Sequence, residues 1–293
     1  MRGRRVLGWA ASVVILAAVG GCAEPAPIEG RGYTQVWADQ FNYTSQAQMG
    51  QEWELNAPFT GPPDASSITF RTEGDARYVR LLTGEFRDWE WSYISTAGPR
   101  RASPEPNYTA PRAWEGGYFE ARIRYSPNQW AWPSFWLFSR AKTENWPNVV
   151  CPPWAPLNSE FDILDSGRFD TSTWTRDHYH GAIHRNTPAN GTWCGVADQQ
   201  YTFAESRLQG MDLTQWHVWS GRWIQRWDGT GQACTYVDGI EIGCAPTFDT
   251  TNQPMVVNFT IQGNGQRVCA GCVPPAGTPN AYMDIDWVRV MQL

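Results

Sequence analysis

The chain has 293 residues, with 23 Lys and Arg against 29 Asp and Glu, and its net charge of −6 argues against a nucleic-acid partner and against heavily sulfated ligands. Its 42% hydrophobic and 14% aromatic residues are enough for one sizeable core in one large domain. Eighteen Trp are far more than a core of this size needs, so part of that set is free for recognition.

At the amino terminus, Arg2, Arg4 and Arg5 precede an apolar run over 13–19 that is too short to span a membrane. The run closes on Val19-Gly20-Gly21-Cys22, the pattern of a bacterial lipoprotein signal. Residues 1–21 are therefore read as a signal peptide and Cys22 as a lipidated residue, which would hold an exported protein to the cell surface or the periplasmic face of a membrane. An ordinary secretory signal with an incidental Cys22 is the alternative. Residues 22–32, rich in Pro, Ala and Gly, read as a flexible tether, leaving 33–293 as one domain.

Short alternating runs follow at 118–125, 134–139, 179–184, 216–223, 255–261 and 282–290, separated by Pro, Gly, Asn and Asp turns. Only 203–211 has a faint helical period, and no internal repeat is visible. The pattern predicts an all-β fold of two packed antiparallel sheets, a jelly-roll sandwich with a concave face. Trp130 and Trp132, beside the run at 134–139, and Trp154 are candidate platforms for the apolar faces of sugar rings.

The most informative stretch is Ser159-Glu160-Phe161-Asp162-Ile163-Leu164-Asp165. Strand alternation puts Glu160 and Asp162 on one face with Phe161 and Ile163 on the other, and would send Asp165 to the wrong side. One extra residue, a β-bulge near Ile163 and Leu164, would bring Asp165 onto the acidic face. Three carboxylates in a row on a strand of an aromatic-rich protein form the arrangement a glycoside hydrolase needs. Next, Asp177-His178-Tyr179-His180-Gly181-Ala182-Ile183-His184 alternates so that His178, His180 and His184 share a face. Such a trio serves either hydrogen bonding in a sugar cleft or zinc, and the first use is favoured. Setting Cys22 aside leaves six Cys, an even number suited to an oxidising compartment. The cheapest pairing joins Cys234 with Cys244 across an Asp-Gly turn and Cys269 with Cys272, leaving Cys151 with Cys194.

On these residues the chain resembles glycoside hydrolase family 16, whose members carry Glu-x-Asp-x-x-Glu or Glu-x-Asp-x-Glu on one strand. Trp37-Ala38-Asp39-Gln40-Phe41-Asn42 with Trp53 is similar to the opening strand of that family. Gly116-Gly117-Tyr118-Phe119-Glu120-Ala121-Arg122-Ile123 and Trp132-Pro133-Ser134-Phe135-Trp136-Leu137 are similar to its cleft strands. Trp216-His217-Val218-Trp219 and Tyr236-Val237-Asp238-Gly239 resemble a later hairpin, and Asp286-Trp287-Val288-Arg289-Val290 a closing strand. The matches keep the family's order from about residue 35 to 290.

The resemblance implies a concanavalin A-like jelly roll and an endo-acting hydrolase of β-linked neutral polysaccharide, a β-glucan or galactan. It implies Glu160 as nucleophile, Asp165 as acid/base, and Asp162 between them, hydrogen-bonded to Glu160 and sharing protons with it. It also suggests a cleft role for a His such as His180, and a structural calcium with Asp286 as ligand. No cofactor is required, and a monomer is expected. Asp165 departs from the family's Glu by one methylene, which draws the carboxyl back by about 1.5 Å. Retaining enzymes hold their carboxyls about 5–5.5 Å apart and inverting ones about 6.5–9.5 Å, so the shorter arm bears on the outcome. A non-catalytic polysaccharide-binding lipoprotein, or a lyase or transglycosylase on the same fold, remain alternatives.

Overall fold

The computed structural model of the chain describes residues 32–55, 67–83, 91–97, 112–126, 130–139, 158–165, 180–186, 196–203, 211–228, 230–249, 254–263, 275 and 277–293. Residues 1–31, which hold the expected signal peptide, Cys22 and all but the last residue of the expected tether, lie outside them, as do Trp154, His178, Cys151, Cys194, Cys269 and Cys272.

Fourteen strands and one short helix are described. In chain order they are β1 (Thr34–Asp39), α1 (Gln46–Met49), β2 (Ile68–Glu73), β3 (Ala76–Leu82), β4 (Trp91–Ser95), β5 (Gly117–Tyr125), β6 (Ala131–Ser139) and β7 (Asn158–Asp165). Then come β8 (His180–Asn186), β9 (Val196–Phe203), β10 (His217–Gln225), β11 (Thr230–Val237), β12 (Ile240–Asp249), β13 (Met255–Gly263) and β14 (Tyr282–Gln292). One sheet runs β12-β11-β10-β5-β14-β3-β2, with β1 also on β14; the other runs β4-β13-β6-β7-β8-β9. Every pairing is antiparallel, as the alternating patterns predict. The faint helical period at 203–211 is not a helix at its start: Phe203 ends β9, paired with Gly181. The described helix is α1, a single turn capped by the Ser45 hydroxyl, which accepts from Gln48 N at 3.2 Å.

The core fills the space between the sheets. Phe119, Ile123, Trp219, Trp223 and Val288 come from the larger sheet, and Phe135, Leu137, Phe161, Ile163, Leu164 and Phe259 from the smaller. Each such side chain contributes roughly 1.5–3 kcal/mol on burial. Phe135 stacks on Phe259 at 4.8 Å and Phe161 on Trp223 at 5.6 Å. After β1 the chain is knotted by Asp39, whose carboxylate accepts from Phe41 N (2.7 Å), Tyr43 Oη (2.5 Å) and Trp53 Nε1 (2.7 Å).

The β11–β12 turn places Asp238 and Gly239 at φ of 49° and 76°, the left-handed pair that a two-residue hairpin needs. Asp238 accepts from Val218 N at 2.8 Å and pairs with His217 Nδ1 at 2.7 Å. Burial opposes the charge on His217, but Asp238 and the Asp212 carbonyl outweigh it and raise its pKa. Cys234 and Cys244 form the disulfide expected across this hairpin, directly opposite each other in the register.

The outward face of the larger sheet is tied by charge. Asp284, fully buried, receives Arg80 Nε at 2.6 Å, Arg80 Nη2 at 2.8 Å and Arg124 Nε at 2.9 Å, joining β3, β14 and β5. The arginines also lie over rings, Arg80 at 4.2 Å from Tyr282 and Arg124 at 4.4 Å from Trp216. Truncating Asp284 removes the carboxylate that both guanidinium groups share and leaves Arg124 its pair with Glu73 at 2.8 Å. Asp284→Ala should lower the unfolding free energy in urea by about 3–5 kcal/mol; a loss below about 1 kcal/mol would show that the cluster does not hold the sheet.

Candidate active site

The acidic row rests on one extra residue in β7. Against β6, Glu160 pairs with Phe138, Asp162 with Trp136 and Asp165 with Ser134, with a register shift between Phe135 and Trp136. Against β8, Asp162 faces Ala182 and Asp165 faces His180, with the shift between those two rungs. Ile163 and Leu164 therefore both turn inward, each fully buried in the core, and Asp165 returns to the face of Glu160 and Asp162. This is the bulge that the sequence predicts.

Glu160 is half-buried, whereas Asp162 and Asp165 are 4% and 6% exposed. Asp165 is gripped from β6: its Oδ1 accepts from the Ser134 hydroxyl at 2.8 Å and from the Trp132 ring N–H. Ser134 stands on the same rung, and Trp132 stands two residues beyond it, away from Glu160. Trp132 was expected as a sugar platform. The structure puts it at 5% exposure with its polar edge on Asp165, so it orients that carboxyl rather than offering an open ring face. Trp130 is partly buried and packs against the core. Of the histidines, His180 stands opposite Asp165 and His184 opposite Glu160 in the backbone register.

Toward β4, the same face carries Asn258, fully buried, whose Oδ1 accepts from Tyr93 Oη at 2.8 Å and Ser95 Oγ at 2.7 Å. Trp136, Phe138, Tyr93 and Val256 pack together beside it. Sequence reasoning did not single out Ser134 or Asn258. Their signal was present only as strand alternation with Trp132 and Trp136, and with Val256 and Thr260.

Asp286 is the extra residue of a second irregularity, between Ile285 and Trp287 of β14, and pairs with Arg122 at 2.5 Å. Among the described residues, the cluster of three potential metal-ligating side chains is Cys234, Glu241 and Cys244, and both of its sulfurs belong to the disulfide.

No protein-family model and no curated protein matches the sequence. Solved structures share the fold. A glycoside hydrolase family 16 endo-glucanase from Bacteroides ovatus, in complex with G4G3G-2F-DNP, is 19% identical with a TM-score of 0.58, covering 87% of this chain and 99% of its own. The laminarinase from Rhodothermus marinus is 19% identical with a TM-score of 0.59, covering 89% and 97%. A GlcNAcα1-4Gal-releasing endo-β-galactosidase from Clostridium perfringens is 18% identical with a TM-score of 0.59, covering 91% of this chain and 63% of its own. The chain thus has the jelly-roll fold seen in family 16 structures.

The bulge is seated on a glycine in the opposite sheet. A Cβ on Gly221 of β10 would lie 2.5 Å from Ile163 Cγ1 and 2.8 Å from Phe161 Cε1. Gly221→Ala should therefore cost roughly 1–3 kcal/mol of stability and displace the acidic row. Thermal melts beside any activity of the site would check this; a variant with wild-type stability and activity would mean that β7 yields freely.

Proposed function

We propose that the chain is an endo-acting glycoside hydrolase that cleaves a β-linked neutral polysaccharide by double displacement with retention. The observation that carries this reading is the bulge-made row, in which Glu160, Asp162 and Asp165 share one face and Asp165 is held from β6. Glu160, the most accessible of the three, attacks the anomeric carbon and forms a glycosyl-enzyme. Asp165 delivers a proton to the departing glycosidic oxygen and later removes one from the incoming water. Its Oδ1 is taken by the Ser134 and Trp132 donors, which assigns the transferable proton to Oδ2. Asp162 lies between them in the same row. The same-fold structures named above are of an endo-glucanase, a laminarinase and an endo-β-galactosidase, which supports a β-glucan or galactan as substrate. Export, with a lipid on Cys22, belongs to the same proposal and rests on the amino-terminal sequence alone; in a bacterial host, Cys22→Ala should move the protein out of the membrane fraction.

One observation favours a second outcome of the chemistry. Both donors to Asp165 stand at or beyond its rung on the side away from Glu160, and the side chain is short, a placement that favours a wider gap between the two carboxyls. A gap wide enough for a water would give inversion.

The test is reducing-sugar release by the full chain from β-1,3-glucan, mixed-linkage glucan, β-galactan and agarose, beside Glu160→Gln. Release by the native chain, lost by about three orders of magnitude or more in the variant, is expected. Proton NMR of the first product then reads the β-anomer for retention and the α-anomer for inversion. Binding without release would make the protein a polysaccharide-binding module, and an unsaturated product would make it a lyase.

A further inference from the structure

At one end of the larger sheet, where β1 and β5 begin and β10 and β14 finish, the described residues enclose a concavity of about 580 Å³. None of the acidic row lines it. Its volume falls in the range of small-ligand sites, roughly 300–1,000 Å³. Along its floor Gly116 and Gly117 press close on the neighbouring strands. A Cβ on Gly117 would sit 2.5 Å from Met291 O, and one on Gly116 would sit 3.1 Å from Trp223 O. The backbone beneath is tied down, since Gln292 Nε2 donates to Gly116 O at 2.9 Å.

The rim holds Trp227, at 96% exposure the most exposed large apolar side chain among the described residues. This indole stands on a braced turn beside the concavity. Arg226 N donates to Thr230 O at 2.8 Å, and the Asp228 carboxylate accepts from Thr230 N at 2.9 Å and Thr230 Oγ1 at 2.7 Å. Those Thr230 bonds also hold the Asp228 carboxyl below its usual range. The turn that carries the platform is therefore set before any ligand arrives, and little loop ordering remains to be lost on binding. Tyr33 adds a second ring, and Glu115, Gln225, Arg226 and Gln292 add polar groups around it. One carboxylate against one guanidinium creates no net field to collect an anion. Aromatic faces combined with amides suit a ring that is apolar on one side and hydroxylated at its edge.

We propose that this concavity is a second saccharide-binding site, with Trp227 as its stacking platform, that holds a neutral polysaccharide chain away from the acidic row. The identification of the ligand as the hydrolysed polymer rests on the functional reading above; the site itself does not require hydrolysis. Tethering one stretch of polymer here raises the local concentration of the rest at the acidic row.

The test is electrophoresis of the folded full chain through native gels cast with β-1,3-glucan, mixed-linkage glucan or β-galactan. Glu160→Gln, which cannot digest the gel, is compared with Glu160→Gln plus Trp227→Ala. Loss of one stacking contact should weaken retardation about two- to tenfold in the gel that retards the parent. In the active background, Trp227→Ala should lower kcat/KM on that polymer while leaving hydrolysis of a short oligosaccharide unchanged. Equal retardation of both forms, or retardation of neither, overturns the second site. Sugar release by the native chain is read separately, so failure here leaves the role of the acidic row to its own assay.

Discussion

One inserted residue in β7 decides what this molecule can do. Antiparallel pairing forces alternation, and strict alternation would leave Asp165 in the core, where an unpaired carboxylate costs several kcal/mol. Doubling the inward step at Ile163 and Leu164 removes that conflict and supplies two apolar anchors instead of one. The bulge is then held from three directions: by β6 and β8 through the register on either side, and by β10 through the space left at Gly221. Chemistry on one face of the strand is thus a product of packing on the other.

The same logic explains how a shortened acid stays in place. Aspartate reaches less far than glutamate, but it also has one fewer rotatable bond to restrain. Two donors on a single oxygen, from Ser134 and Trp132, leave the carboxyl one plane to occupy. The gain is a fixed orientation.

Much of this was readable in advance, for reasons that differ residue by residue. The acidic row was legible because acids alternate with apolar residues and the alternation slips once. The Cys234–Cys244 bridge was legible because Asp238-Gly239 marks a hairpin between them. Ser134 was not, since a serine in a strand has no signature until its partner on the next strand is known. Asp284 was equally hidden, because its arginines lie 160 and 204 positions earlier in the chain. β6 begins at Ala131, ahead of the alternating run at 134–139, and Pro133 is tolerated in it just past the last rung shared with β7. The helix α1 is one turn long, too short for any period to show.

The position of β14 has a consequence for how the chain reaches its native state. This last strand is not an edge: it lies between β5 and β3 and also carries β1, the first strand. The larger sheet therefore cannot close while the carboxy-terminal segment is still being made, and its registry waits on contacts that span nearly the whole chain. Such long-range closure makes folding slow and late. During synthesis β3 and β5 therefore wait for the strand that will lie between them, and two strands made early in the chain find their places only through one made late.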